Sequence, residues 1–256
     1  MALRSQTTVA TAVVIVAALA QAGFAQNALR YEVRHEHWLR DGSGTLVIDQ
    51  RGVSYQETSK SKRKKPERLH HDQLNYEDIQ QLYISPQKLT VVTYRDQVWR
   101  LGMDKEYEFT LPTGETFAAA YAFLKKRLDE RLVAALADDE VQPLWELPVK
   151  RLGALRGSEG ALVVGAEHIV YRTERREQSR TWRFQDIENI SSAGRFDLTI
   201  TTYERAKAHY GSMKEFHFQL KQPLDERRFE ALWRRLNRSK GLSILTSLEE
   251  RNQVGK

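Results

Sequence analysis

The sequence predicts a mainly β chain with helices (α+β), built as two tandem copies of one small domain. Each copy should hold six or seven antiparallel strands and end in one helix. Three observations carry this expectation. Blocks of residues recur in the same order at nearly constant spacing; most blocks alternate apolar and polar residues; and the last block of each set changes to the helical period.

The recurrence begins with Gly44, Leu46, Val53 and Tyr55, which return as Gly160, Leu162, Ile169 and Tyr171, 116 residues later. Residues 74–79 (LNYEDI) then align with 182–187 (WRFQDI), and 89–94 (LTVVTY) with 198–203 (LTITTY), at spacings of 108 and 109. Tyr107, Phe109 and Leu111 return as Phe216, Phe218 and Leu220, and Tyr121, Leu124 and Leu128 as Phe229, Leu232 and Leu236.

The blocks have readable shapes. Residues 45–49 and 52–57 are β-prone runs joined at Gln50-Arg51-Gly52, a hairpin signal. A strand before each hairpin is expected at 31–39 and 147–152. Phe216, Phe218 and Leu220 alternate with polar neighbours, as a half-buried strand requires. Phe229, Leu232, Trp233 and Leu236 fall at i, i+3, i+4 and i+7, with Asp225 placed as the N-cap of a helix. Residues 117–136 are expected to form the equivalent helix of the first copy, extended by Ala, Lys and Arg.

Strands in this order, closed by one helix, resemble the pleckstrin-homology-like superfold and its bacterial variants. The residues behind the resemblance are the paired strands ending in Tyr55 and Tyr171, the WRFQDI block, the Thr-Tyr pair before the long hairpin, and the terminal helix. The resemblance implies two tandem pleckstrin-homology-like barrels, at 28–137 and 147–240, with a linker at 138–146 and a tail at 241–256. An all-β sandwich with an appended helix is the alternative. The resemblance also implies a protein or peptide partner rather than a reaction. Its inositol-lipid role does not carry over, because the basic residues here follow a later strand than the first hairpin.

Residues 1–25 read as a signal peptide: Arg4 precedes an apolar run, and small residues near Ala22 and Ala25 offer cleavage sites. The protein is therefore expected to be exported, to the periplasm or beyond the cell. An uncleaved segment anchored in the inner membrane is the alternative. The chain has no cysteine, which removes disulfides, thiolate metal sites and cysteine nucleophiles.

The first copy is eight residues longer than the second between Tyr55 and Leu74, and this insertion holds Lys60, Lys62, Arg63, Lys64 and Lys65. The net charge is +6, so once Arg4 leaves with the signal these five cations match the whole excess. They form a candidate anion-binding tip for an anionic membrane surface, a polymer or an acidic partner. No aromatic residue is interleaved with them, which argues against single-stranded nucleic acid.

No catalytic constellation stands out. His35 and His37 share one strand face and are the candidate metal ligands, but no third ligand has a recognisable spacing. Ser158, within Gly157-Ser158-Glu159-Gly160, has Arg156 where a nucleophile elbow needs its first glycine. No cofactor is implied. The expectation is a non-enzymatic exported binding or scaffolding protein. The alternative is an envelope-associated protein that uses its basic loop.

Overall fold

The computed structural model describes residues 28–36, 42–58, 71–97, 100–153, 156–206 and 212–242. The expected signal segment, the basic residues 60–65, His37, Trp38 and Trp99 lie outside the described residues. Among the described residues no helix is long and apolar enough to cross a membrane.

The first copy contains β1 (Leu29–Glu36), β2 (Gly42–Ile48), β3 (Gly52–Glu57), β4 (His71–Asn75), a 3-10 turn (Tyr76–Asp78), β5 (Ile79–Ile84), β6 (Lys88–Gln97), β7 (Arg100–Thr110) and helix α1 (Ala118–Leu124). The second repeats that order: β9 (Trp145–Arg151), β10 (Ser158–Val164), β11 (His168–Arg172), β12 (Arg180–Arg183), a 3-10 turn (Phe184–Asp186), β13 (Ile187–Ser191), β14 (Asp197–Arg205), β15 (Met213–Leu220) and helix α2 (Glu226–Asn237). Among the described strands only β8 (Leu132–Ala134) has no counterpart, and a short π-helical turn (Arg238–Leu242) follows α2 alone.

Two closed barrels were expected, and the strand pairing overturns that arrangement. All fifteen strands belong to one open hydrogen-bonded series, β13-β14-β15-β9-β10-β11-β12-β8-β5-β6-β7-β1-β2-β3-β4. Neither β4 with β5 nor β12 with β13 forms a pair, so neither copy closes. The local cause is the three-residue 3-10 turn between those strands, which is not a hairpin loop that folds one strand back on the other. The free edge of β12 instead pairs with β8 at Thr181↔Ala134, and β8 runs parallel to β5 from Leu82↔Leu132 to Ile84↔Ala134.

The expected long helix at 117–136 is likewise corrected. It stops at Leu124, where the N–H groups of both Arg127 and Leu128 turn back onto the Leu124 carbonyl. Residues 132–134 then follow the β-branched and apolar preference of a buried strand and become β8.

By contacts the chain divides into two compact units, Met1–Asp78 with Phe109–Thr113, and Ile79–Glu108 with Gly114–Lys256. In the first, β1 and β3 flank β2 in register, with Val33↔Gly44 and Leu46↔Tyr55. The β2–β3 turn is held by Asp49, whose carboxylate accepts the N–H groups of Arg51 and Gly52. Tyr55 is buried against Phe109, with ring centroids 5.4 Å apart.

In the second, β10 and β11 repeat this register with Gly160↔Val149 and Leu162↔Tyr171. The core gathers Leu147, Val149, Leu162, Tyr171, Trp182, Ile200, Phe216 and Phe218, and α2 covers it with Leu232 and Leu236. Asp225 caps α2 by accepting the Arg227 N–H, while Trp233 stays 37% exposed.

One glycine in each copy is there because the tyrosine ring crosses it. A Cβ on Gly44 would lie 2.3 Å from the Gln56 carbonyl oxygen and 2.6 Å from the Tyr55 ring. On Gly160 it would lie 2.2 Å from the Arg172 oxygen and 3.0 Å from the Tyr171 ring. Backbone would have to move in both cases. Gly44→Ala and Gly160→Ala are each expected to cost about 1–3 kcal/mol in urea unfolding, as overpacked core positions do. Gly114→Ala meets no neighbour but must hold a φ of +96°, so it should cost about 1–2 kcal/mol from backbone strain alone.

Candidate anion-binding crevice

Period two places charged residues at the inward phase of four strand ends in the second copy. β9 buries Leu147 and Val149, and its next inward residue is Arg151. β12 carries Arg180 in phase with buried Trp182. β14 buries Leu198, Ile200, Thr202 and Glu204 in strict alternation. β15 carries Lys214 in phase with Phe216, Phe218 and Leu220.

These residues converge on one ring. The Lys214 ammonium lies 5.2 Å from the Phe216 centroid, the Arg151 guanidinium 5.8 Å and the Arg180 guanidinium 6.0 Å. Arg151 also stands 5.7 Å from the Tyr171 ring. The ring face attracts cations electrostatically, which holds three of them in a small space. A crevice of about 440 Å³ opens beside them, lined by Arg151, Leu152, Gly153, Lys214, Glu215, Phe216 and His217.

The charges do not balance. Glu204, 4% exposed, pairs with Lys214. Arg151 donates to the Gln178 carbonyl at 3.1 Å, and Arg180 to the Glu177 and Ser179 carbonyls at 3.0 and 2.9 Å. Neither arginine has an ion pair among the described residues. The Nε of Arg180 is buried without a hydrogen-bond partner, and so are Nε1 of Trp182 and Oε2 of Glu204.

Burial depresses all three cations. It pulls Lys214 below 10.5 even with Glu204 alongside, and it lowers Arg180. Arg151 is lowered first by burial and then by the positive charge of Arg180. An anion entering the crevice would relieve this repulsion, since an opposite charge within a few ångströms favours the charged form.

A larger cleft of about 1130 Å³ lies between the end of α1, the segment before β9 and the last turn of α2, and its most buried charges, Arg183 and Asp138, are already engaged. Arg183 donates to the carbonyls of Lys125, Leu128 and Asp129 at 3.2, 2.6 and 2.6 Å, and it also binds Asp186 through Nε and Nη2. It thus caps the end of α1 from the second copy. Asp138, 6% exposed, accepts from Tyr121 and Lys125 at 3.1 Å each. Burial alone would raise the Asp138 carboxyl, but the Glu140 N–H and the Lys125 ammonium hold it below 3.8. Thr181 completes the seam, accepting the Asp138 N–H and donating to the Leu136 carbonyl. These groups fasten the fold rather than wait for a ligand.

The residues singled out from the sequence lie elsewhere. The candidate cations Lys60, Lys62, Arg63, Lys64 and Lys65 fall outside the described residues, on the connection from β3 to β4. His35 is 2% exposed, stacked on Phe109 at 4.7 Å and edge-on to Tyr55 at 5.0 Å, and its companion His37 is not described. Among the described residues no group of three or more His, Cys, Asp or Glu could hold a metal ion. Ser158 opens β10, buried, with its hydroxyl 2.8 Å from that of Tyr171.

Sequence reasoning missed the crevice. The usable signal was a charged residue at the inward phase near the end of an otherwise apolar strand face, at Arg151, Glu204 and Lys214.

No family model matches the chain, and no curated protein matches it. Among solved structures it is similar to the C-terminal domain of an unknown protein from Leishmania infantum, at 10% identity and a TM-score of 0.30, covering 47% of this chain and 94% of that one. It is also similar to the Spt16D Pob3N heterodimer, at 11% identity and a TM-score of 0.29, covering 76% and 97%. Neither likeness is strong enough to carry a fold or a function across.

Because Arg183 ties α1 to β12, Arg183→Ala should destabilise the protein by about 3–5 kcal/mol in chemical unfolding, as loss of one partner of a buried ion pair does. Arg183→Lys should recover only part of this, because an ammonium cannot bridge carbonyls and carboxylate with a planar fork.

Proposed function

We propose that the chain is a non-enzymatic exported binding protein, and that the second copy grips an anionic group of its partner between Arg151 and Lys214, with the charge of Arg180 behind them. The observation that carries this reading is the imbalance of three half-buried cations against one carboxylate around Phe216. A built site of this kind favours an anion because its cations are already desolvated and close together.

The chemistry argues for binding rather than turnover. Glu204 is occupied by Lys214. His217, at the crevice wall, lies 3.0 Å from the Thr199 hydroxyl and 3.4 Å from Glu215, on the outward face. Among the described residues, the imidazole therefore lies on the opposite face of β15 from the cations, and the buried carboxylate beside them is held in an ion pair.

Divergence between the copies supports the same reading. In repeat register Arg151, Arg180, Glu204 and Lys214 correspond to His35, Asp72, Arg95 and Lys105. The aromatic support recurs, with Lys105 4.6 Å from the Tyr107 ring, but the two arginines do not. The arginine pair is a property of the second copy alone.

Calorimetric titration with inorganic phosphate tests the proposal. The wild type should bind, and Arg151→Gln or Lys214→Gln should weaken binding by tenfold or more while unfolding stays cooperative. Lys214 has a lowered pKa, so it loses its charge as pH rises toward its folded value, which lies below 10.5. Phosphate affinity should fall over that range and recover on the neutral side. Equal binding by wild type and Arg151→Gln would remove the crevice from consideration.

A second reading rests on the five clustered cations at 60–65. They would draw the protein to an anionic envelope surface, at about 1 kcal/mol per basic residue, screened by salt. Co-sedimentation with phosphatidylglycerol vesicles should fall steeply with salt and vanish when Lys62, Arg63, Lys64 and Lys65 are replaced by Ser. Unchanged co-sedimentation would discard this reading.

A further inference from the structure

The larger cleft carries a second set of charges besides the engaged Arg183 and Asp138. Lys126 and Arg127 line it just past the end of α1, and Arg235 and Arg238 line it at the end of α2. Lys126, Arg127 and Arg238 are exposed, and Arg235 is half-buried. None of the four has an ion pair among the described residues. Arg127 lies over the Phe123 ring, 4.3 Å from its centroid. Arg235 donates to the Gly165 and Ala166 carbonyls and stands 5.7 Å from the Phe184 centroid. These contacts orient the two guanidinium groups and supply no formal negative charge.

The carboxylates of the cleft do not compensate them. Lys125 holds Asp138 and Glu140 at 3.1 and 2.8 Å, and Arg131 holds Asp129 at 2.7 Å. Glu167, on the turn between β10 and β11, is the remaining lining carboxylate. The four cations therefore outnumber it by three charges. Basic residues at a helix C-terminus ordinarily serve the helix, by meeting its last carbonyls. At α1 that task falls to Arg183, which takes the Lys125 and Leu128 carbonyls and leaves Lys126 and Arg127 to face the cleft.

We infer that this cleft binds a small oligophosphate, a ligand with two or more linked phosphate groups that pair with Arg127 at the end of α1 and Arg238 at the end of α2, beside Lys126 and Arg235. The volume of about 1130 Å³ suits a whole small molecule rather than one phosphate. Three of the four cations are arginines, whose planar fork matches phosphate oxygens two at a time. The site shares no lining residue with the crevice beside Phe216, so neither proposal depends on the other.

His168 gives a local readout. It lines the same cleft and pairs with Arg183 across β11 and β12. Burial and then Lys125 hold its imidazole below 6.5, against the opposing charges of Asp138, Glu167 and Asp186. A polyanion placed among the four cations would favour the imidazolium and move that titration to higher pH.

The test is calorimetric titration of the full chain with tripolyphosphate, in the Arg151→Gln background that disables the crevice. One site should remain. Adding Arg127→Gln and Arg238→Gln should weaken it tenfold or more, and Arg127→Lys with Arg238→Lys should recover part of the loss. In the wild-type background the glutamine pair should keep phosphate binding at the crevice. Arg227→Gln with Arg228→Gln removes the same charge from α2 outside the cleft, and affinity should stay within twofold. Citrate should bind at least tenfold more weakly than tripolyphosphate. In NMR titrations, with the signal assigned by His168→Gln, tripolyphosphate should raise the pH at which His168 titrates. Equal weakening by the two glutamine pairs shows only general attraction to basic residues and overturns the site. Citrate binding as tight as tripolyphosphate overturns the ligand class, and an unmoved His168 overturns the location. If the Arg127→Gln and Arg238→Gln variant does not fold, the outward pair, citrate and His168 decide.

Discussion

Moving a charged side chain out of water costs several kcal/mol unless a counter-charge or a set of hydrogen bonds replaces the lost hydration. The second copy meets this constraint in two different ways. At the end of α1, Arg183 is satisfied by Asp186 and three carbonyls, and Asp138 by Tyr121, Lys125 and a threonine-bridged backbone. Around Phe216, among the described residues, Arg151 and Arg180 hydrogen-bond only to carbonyl oxygens, and the buried carboxylate of Glu204 pairs with Lys214. The first arrangement is closed and gives rigidity. The second is incomplete and gives an electrostatic reason for a ligand.

That difference is an outcome of duplication. Both copies keep the strand order, the 3-10 turn before the fifth strand and the glycine beneath the tyrosine ring, because each solves a packing problem common to both. Positions near the strand ends carry less packing and are freer to change. There Tyr171 donates to the Ser158 carbonyl at 2.7 Å, where the first copy has Gly42, and Arg151 stands where the first copy buries His35.

The expected pair of closed barrels failed at an identifiable place. The repeat alignment gave the order of the recurring blocks, with six or seven strands expected in each copy, but carried no information on whether the fourth strand could reach the fifth. The stretch after Leu124 is composed of good helix formers, and local propensity assigned it to α1. Tertiary pairing won, because the exposed edges of β5 and β12 offered hydrogen bonds to Leu132–Ala134 that a solvated helix end could not match. The same strand draws the two copies into one hydrogen-bonded series.

By itself the sequence determined the mainly β character, the duplication with its element order, and the helix from Glu226 to Asn237 with its Asp225 cap. These follow from period and recurrence, which are properties of neighbouring residues along one chain. Only the tertiary structure decided that the strands form an open series, and that Arg151, Arg180, Glu204 and Lys214 surround one phenylalanine. Residues 53 positions apart or more within that group, such as Arg151 and Glu204, share no local pattern. Alternation reveals which face of its own strand a residue occupies, but the meeting of four strand ends is set by pairing and sheet curvature, which no short window of sequence contains.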